Sequence, residues 1–276
     1  MRTRCDTGAV ERPLPGGNAG GAVLVDGTVR RPTGPWTPAV HDLLRYLDGC
    51  GFDGVPRPLG LDAKGREILT YLPGETIGTS RPWPPWVHSE QALVDVGRWL
   101  RRYHDAVADY QPRPGSIWRT STGQWRPGDV IGHNDAAPYN AVWSVEPHDP
   151  RAARLVGFID WDFAAPCPAV WDLAFMAFSW VPLHARDVVI SEGFTEFAAR
   201  PRRLRLLLSS YGYSGSTDTL LDAVQARVTA HAVGLRERAE AGDPLFRRLV
   251  DDGVLDGLDR ALNELAQDRP DFDRRT

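Results

Sequence analysis

A histidine, a carboxylate and a carboxamide crowd into residues 130–140, where His133, Asp135 and Asn140 stand in a short loop between two apolar runs. Asp135 and Asn140 are separated by Pro138 at a spacing too irregular for one helical face, so they converge from a loop. A second apolar run, 155–159, then delivers Asp160 at a strand end, followed by Trp161 and Asp162. One lone carboxylate and an Asn/Asp pair can hold a hard cation through oxygen ligands. Taken singly, an Asp or an Asn in a loop is a turn former. Their order and spacing together point to chemistry.

The run H-N-D-x-x-x-x-N from His133 to Asn140, followed by I-D-W-D at 159–162 and W-D-L-A at 171–174, resembles the aminoglycoside phosphotransferase family and its choline-kinase-like relatives. It shares with protein kinases the catalytic loop and the metal-binding Asp that follows it. The resemblance implies that Asp135 is the catalytic base, with His133 supporting the loop around it. Asn140 and Asp160 are then magnesium ligands, and Asp172 anchors the loop from the start of the next helix. Asp162 is either a second supporting acid or a surface or capping group.

The same resemblance implies an α+β, two-lobed, protein-kinase-like fold, and the pattern of elements suits it. The first quarter reads as mostly β with one helix. Residues 22–25 and 28–32 flank Asp26-Gly27, a strong hairpin signal. Residues 55–61 and 67–72 flank a second turn. Between the hairpins, Pro38 opens a helix whose apolar face is Val40, Leu43, Leu44 and Leu47. After Leu72 the chain resembles the hinge of these kinases, so a small, mainly β lobe is expected over 1–73 and a larger, mainly helical lobe over 74–276. Helices are expected over 89–106, 171–180, 189–199, 202–211, 218–239 and 244–266.

Within the small lobe, the glycine-rich stretch 14–21, with Gly17 and Asn18, either brings backbone N–H groups to a polyphosphate or is a flexible turn. By the resemblance, the next strand should carry a lysine for the nucleotide phosphates, but the sole lysine of the chain is Lys64. Arg30 and Arg31 stand there instead. Successive residues face opposite sides of a strand, so only one can enter the cleft. Arg31 is expected to do so, on the face of Val29; otherwise both are surface charges. The glutamate that usually pairs with the lysine is missing from the helix, which offers His41 and Asp42. Asp42 is a candidate partner for Arg31, or part of a solvated face. Backbone groups near Tyr71 and Leu72 are expected to receive the adenine. His104 is expected to be a packed, hydrogen-bonded histidine, and Trp83, Trp86, Trp118, Trp125 and Trp180 either line an acceptor cleft or pack the core.

Composition agrees with a soluble enzyme acting on small molecules. The 276 residues are 42% hydrophobic and 25% charged, enough for a substantial core. A formal charge of -4 gives no basic excess for nucleic acid. Cys5, Cys50 and Cys167 are scattered without metal-ligand or disulfide spacing, no secretory signal is visible, and the longest apolar stretch is too short to span a bilayer. A cytoplasmic protein without membrane or nucleic-acid partners is expected. The reading is a Mg2+-dependent phosphotransferase moving the γ-phosphoryl group of ATP or GTP to a small-molecule hydroxyl. A nucleotide-binding pseudokinase with a regulatory role is the alternative, motivated by the absent lysine and glutamate. A metal-dependent hydrolase is a third class, disfavoured by the lack of a histidine cluster.

Overall fold

Asp26 and Gly27 take φ of 48° and 74°, the left-handed pair that closes a two-residue hairpin. They join β2 (Val23–Val25) to β3 (Thr28–Arg31), within a computed structural model that describes residues 10–14, 21–78, 81–120, 124–146 and 149–273. With β1 (Arg12–Pro13), β4 (Pro58–Leu61) and β5 (Glu67–Thr70) they form an antiparallel sheet ordered β1-β2-β3-β5-β4. Arg31 stands directly opposite Glu67 in the β3–β5 register. Helix α1 (Thr37–Gly49) has Pro38 in its first turn and buries Val40, Leu43, Leu44 and Leu47. This is the small, sheet-rich part of the molecule.

The remainder is mainly helical. Helix α2 (Glu90–Ala106) is capped by Ser89, whose hydroxyl accepts from Ala92 N at 3.1 Å, and its apolar face enters the central core. Two short antiparallel ladders follow, β6 (Val130–Gly132) with β9 (Ala165–Cys167) and β7 (Ala141–Glu146) with β8 (Asp149–Phe158). Helices α3 (Ala169–Trp180), α4 (Arg186–Ser191), α5 (Arg200–Tyr211), α6 (Thr217–Glu240), α7 (Pro244–Asp251) and α8 (Val254–Asp273) complete the chain.

Two expected helices are broken. The expected 189–199 helix ends at Ser191, because Gly193 takes φ 95° and the chain resumes only as a 3-10 turn, Phe197–Ala199. The expected 244–266 helix divides at Gly253, φ 78°, into α7 and α8. In both, an apolar helical pattern continues past a glycine whose left-handed conformation ends the helix.

Main-chain bonds tie the two parts together. Phe158 N donates to Gly54 O at 3.0 Å, and the segment after β5 is pinned by reciprocal 2.8 Å bonds between Glu75 and Trp143. A Cβ on Gly157 would lie 1.9 Å from Gly54 O, so only glycine allows the two backbones to pass.

Candidate active site

The loop after β6 is held from beneath by one carboxylate. Asp172, 1% exposed in the first turn of α3, accepts from His133 N at 3.0 Å and Asn134 N at 2.8 Å. His104 of α2 bonds the same carboxylate at 3.1 Å and Tyr211 OH at 2.8 Å. Burial raises the Asp172 carboxyl, but His104 and the loop outweigh it and hold the pKa below the usual range. Gly132 lets the loop sit so close, since a Cβ there would meet Asp172 Cγ at 3.0 Å.

His133 is fixed rather than free. Its Nε2 lies 3.2 Å from Ile159 O, its Nδ1 accepts from Asp135 N at 3.3 Å, and its ring packs on Trp161. That pairing requires the Nε2–H tautomer. Burial lowers its pKa, so the ring is neutral and serves as a strut.

Asp135 faces the cleft with both oxygens oriented. Oδ1 accepts from Tyr139 OH at 2.8 Å and Oδ2 from Asn140 Nδ2 at 2.8 Å. Enclosure at the cleft base, and then the nearby Asp160 charge, push its pKa up to about 7. Asn140 commits its amide nitrogen to Asp135, and its Oδ1 accepts no hydrogen bond from the described residues. Asp160 follows β8 in a left-handed conformation, φ 63° and ψ 68°, a strained geometry for a non-glycine residue.

Arg31 crosses the cleft to meet this group. Its Nε contacts Glu67 at 2.5 Å, one terminal nitrogen contacts Asp160 Oδ1 at 2.8 Å, and the other bonds Asp162. Burial opposes the charge, but the three carboxylates keep the guanidinium protonated far above any physiological pH. Arg30 faces away, with Asp62 4.0 Å from its Nε. Of the two readings of Asp42, the partner of Arg31 is not found: Asp42 bonds the exposed Arg113 at 2.7 Å. The carboxylate comes from β5: Glu67, 2% exposed, bonds Arg31 through one oxygen and His41 Nε2 at 2.6 Å through the other. Helix α1 therefore supplies a histidine to brace a strand glutamate. Arg119 adds a second cation to Asp162 at 3.0 Å and stacks on Trp36 and Phe163.

Arg31, Glu67, Arg119, Asp135, Asn140 and Asp160 line a cleft of about 1860 Å3, with Tyr71 and Leu72 along its small-lobe wall. Gly17 and Asn18 lie outside the described residues. Of the five tryptophans weighed for the cleft, Trp83 lines it, whereas Trp86 and Trp180 are core residues, 8% and 2% exposed. The donors around Asp160 and Asn140 are oxygens, a set suited to a hard cation such as Mg2+ rather than to a thiophilic metal. Among the described residues no cluster of three or more His, Cys, Asp or Glu forms a metal site. Glu67 was missed in the sequence because the search for a carboxylate followed the helix; a glutamate opening an otherwise apolar strand was the available signal. Arg119 carried none.

Residues 108–207 match the family model described as Phosphotransferase enzyme family, APH. A trifolitoxin immunity protein of Rhizobium leguminosarum bv. trifolii is 36% identical over 205 residues, spanning 73% of this chain and 74% of that protein. Among solved structures, the GDP complex of aminoglycoside 2'-phosphotransferase-IIIa superposes with a TM-score of 0.61 at 15% identity, covering 95% of each chain. A choline/ethanolamine kinase family protein from Mesorhizobium loti gives 0.53 at 14% identity over 94% of this chain and 92% of that one. A macrolide 2'-phosphotransferase from Brachybacterium faecium gives 0.52 at 18% identity over 88% and 87%. These structures share the two-lobed fold.

Proposed function

The chain belongs to the phosphotransferase enzyme family, and we propose that within it the protein transfers the γ-phosphoryl group of ATP or GTP to a hydroxyl of a small molecule. The observation that carries this reading is the meeting of Asp135, Asn140 and Asp160 on one wall of a cleft with Arg31 reaching them from the other. The GDP bound in the aminoglycoside 2'-phosphotransferase supports a guanine nucleotide as one option. Residues 1–73 form the nucleotide lobe in this reading and 74–276 carry the catalytic loop and acceptor side.

Asp160 and Asn140 Oδ1 would hold Mg2+, which when bound neutralises charge on the phosphates. Asp135 orients the acceptor hydroxyl and takes its proton as the acceptor oxygen bonds to the γ-phosphorus and the bond from that phosphorus to the bridging oxygen breaks, releasing the nucleoside diphosphate. A carboxylate raised towards neutrality is a better proton acceptor than an ordinary one and is still substantially ionised at pH 7. Tyr139 and Asn140 fix its direction. Arg31 grips phosphate oxygens with a planar fork, which a lysine cannot do. Backbone groups at Tyr71 and Leu72 receive the base, and Gly17 and Asn18 the phosphates. No described helix is long and apolar enough to cross a membrane.

Titration calorimetry with a non-hydrolysable triphosphate, with and without magnesium, tests the roles. Asp135→Asn should keep metal-dependent affinity while transfer slows by roughly 10²–10⁴-fold. Asp160→Asn should lose that affinity. The opposite pattern reverses the two roles, and full activity in both variants defeats the phosphotransferase reading. Arg31 seated on Asp160 favours one second reading, a nucleotide-binding regulatory module, for which the wild type would bind triphosphate and turn none over.

A further inference from the structure

The helical wall of the cleft is unlike the nucleotide wall. Along α6, Arg227, His231, Leu235 and Arg238 recur at helical spacing and all line the cavity. Arg227 lies over the rings of Trp171 and Phe175 of α3, at 5.4 and 5.2 Å, and donates to the carbonyl of Asn134 at 2.9 Å, one residue before the catalytic Asp135. Its Nε is buried without an acceptor, and no carboxylate among the described residues pairs with it. Arg238, half-buried, stacks 4.9 Å over Phe246 and donates to Arg119 O, likewise with no ion pair to a described carboxylate.

A guanidinium withdrawn from water without a counter-charge is costly, so such groups are normally paired. Asp172 and Asp135 offset the charge of Arg227, and Asp243 that of Arg238, only from a distance and without pairing, so that burial still lowers the pKa of both guanidiniums; the other acids on this wall do not compensate. Asp187 and Glu192 are engaged by Arg260 at 2.9 Å and Arg81 at 3.2 Å, Asp129 caps Arg126 N, and Glu237 and Asp252 are exposed. Burial first, and neighbouring cations after it, lower the pKa of two histidines on this wall. His231, which water still reaches through the open cleft, is pushed down to about 4, by its enclosure first and then by Arg227 and Arg238. His184 falls to about 3, through burial and then His231, Arg200 and Arg81.

Resting on the phosphotransferase reading, we propose that the acceptor carries an anionic group, a carboxylate or a phosphate, near the hydroxyl that is phosphorylated, that Arg227 binds it, and that Arg238, three turns further along α6, adds positive potential to the same wall. The aromatic rings beneath the Arg227 guanidinium pack against its apolar part. A polycation would meet two unpaired arginines on this wall. The protein therefore differs in acceptor class from the neighbours whose structures hold kanamycin or gentamicin.

The test titrates four probes, citrate, inorganic phosphate, glycerol and kanamycin, into protein saturated with magnesium and a non-hydrolysable triphosphate, followed by tryptophan fluorescence and calorimetry. Citrate, phosphate or both should bind, separating the carboxylate from the phosphate form, while glycerol and kanamycin should not. Arg227→Gln should weaken anion binding roughly tenfold, the loss of a charge-assisted hydrogen bond, Arg238→Gln should weaken it less, through lost positive potential alone, and Arg227→Lys should restore part of the first loss. Arg238 does not touch the catalytic loop, so its variant reports on the site even if Arg227→Gln perturbs that loop. Absence of anion binding to the loaded wild type, tighter binding of kanamycin than of either anion, or unchanged anion affinity in both variants overturns the proposal. A chain that binds no triphosphate fails the phosphotransferase reading instead, and the anion titration is then decided on the free protein.

Discussion

Arg31 and Arg227 enter the same cleft from opposite lobes, and their surroundings could hardly differ more. Arg31 is gripped by three carboxylates from two lobes, one of them braced by His41. Arg227 rests on two aromatic faces with a single backbone carbonyl as acceptor. A guanidinium with each nitrogen held by a carboxylate defines the geometry around it, with N–H donors left over for a phosphate, and removing it strands its partners. One without a carboxylate in contact contributes less to the fold and keeps donors for a ligand. In the proposed reading the two lobes use one side chain for opposite purposes, a fixed strut beside the phosphates and an open receptor for the acceptor.

The largest expected effect is on the strut. Arg31→Gln leaves Glu67 and Asp162, both well buried, without their main cation and should lower stability by about 3 kcal/mol, read as a fall in Tm and in denaturant midpoint. Arg30→Gln, whose Asp62 contact is long, should change stability by less than ~0.5 kcal/mol. Equal effects from the two variants would dissolve the distinction drawn for Arg31.

A pH experiment probes the acceptor side. Burial raises the Glu192 carboxyl to about 7, against the opposing charge of Arg81. A carboxyl raised in the folded state contributes stability that is fully present below its unfolded pKa near 4.5 and is lost as pH rises through 7. The stability of Glu192→Gln relative to wild type should therefore climb by up to ~3 kcal/mol across that interval and be flat above it. A parallel pair of pH–stability curves would mean that this wall tolerates a buried negative charge, and would weaken the contrast with the arginines.

The smallest expected effect is on the receptor. Arg227→Gln loses the bond to Asn134 O but relieves a desolvated charge, so stability should shift by no more than ~1 kcal/mol in either direction. A loss as large as that of Arg31→Gln would make Arg227 a structural residue.

Asp135, Asn140 and Asp160 were legible because they fall in one stretch of loops and short strands, where turn residues and apolar runs mark the geometry, whereas the supporting roles of His133 and Asp172 came only through the family resemblance. The Asp26-Gly27 hairpin followed from a local rule of turn chemistry, and the face of Arg31 from the resemblance together with strand alternation. Glu67 was hidden because it meets Arg31 only through strand register, across an intervening helix and hairpin, and no local pattern announces a cross-strand pair. The breaks at Gly193 and Gly253 were overlooked because apolar periodicity persists on either side of a glycine that takes a left-handed turn. Arg227 was illegible for another reason: on a long helix rich in arginine, nothing local separates a solvated guanidinium from one turned towards a cavity.

The close passage of Gly54 and Gly157 has a mechanical meaning. The small lobe is stitched to β8 by main chain at Phe158, and the segment leaving the sheet is pinned at Glu75, whereas around Arg31 the lobes are clasped by side-chain charges. Salt screens the clasp and leaves the stitching intact. The amplitude with which the mouth of the cleft breathes should accordingly rise with ionic strength while the pivot stays in place, so the rate of nucleotide exchange becomes a reporter of the clasp alone.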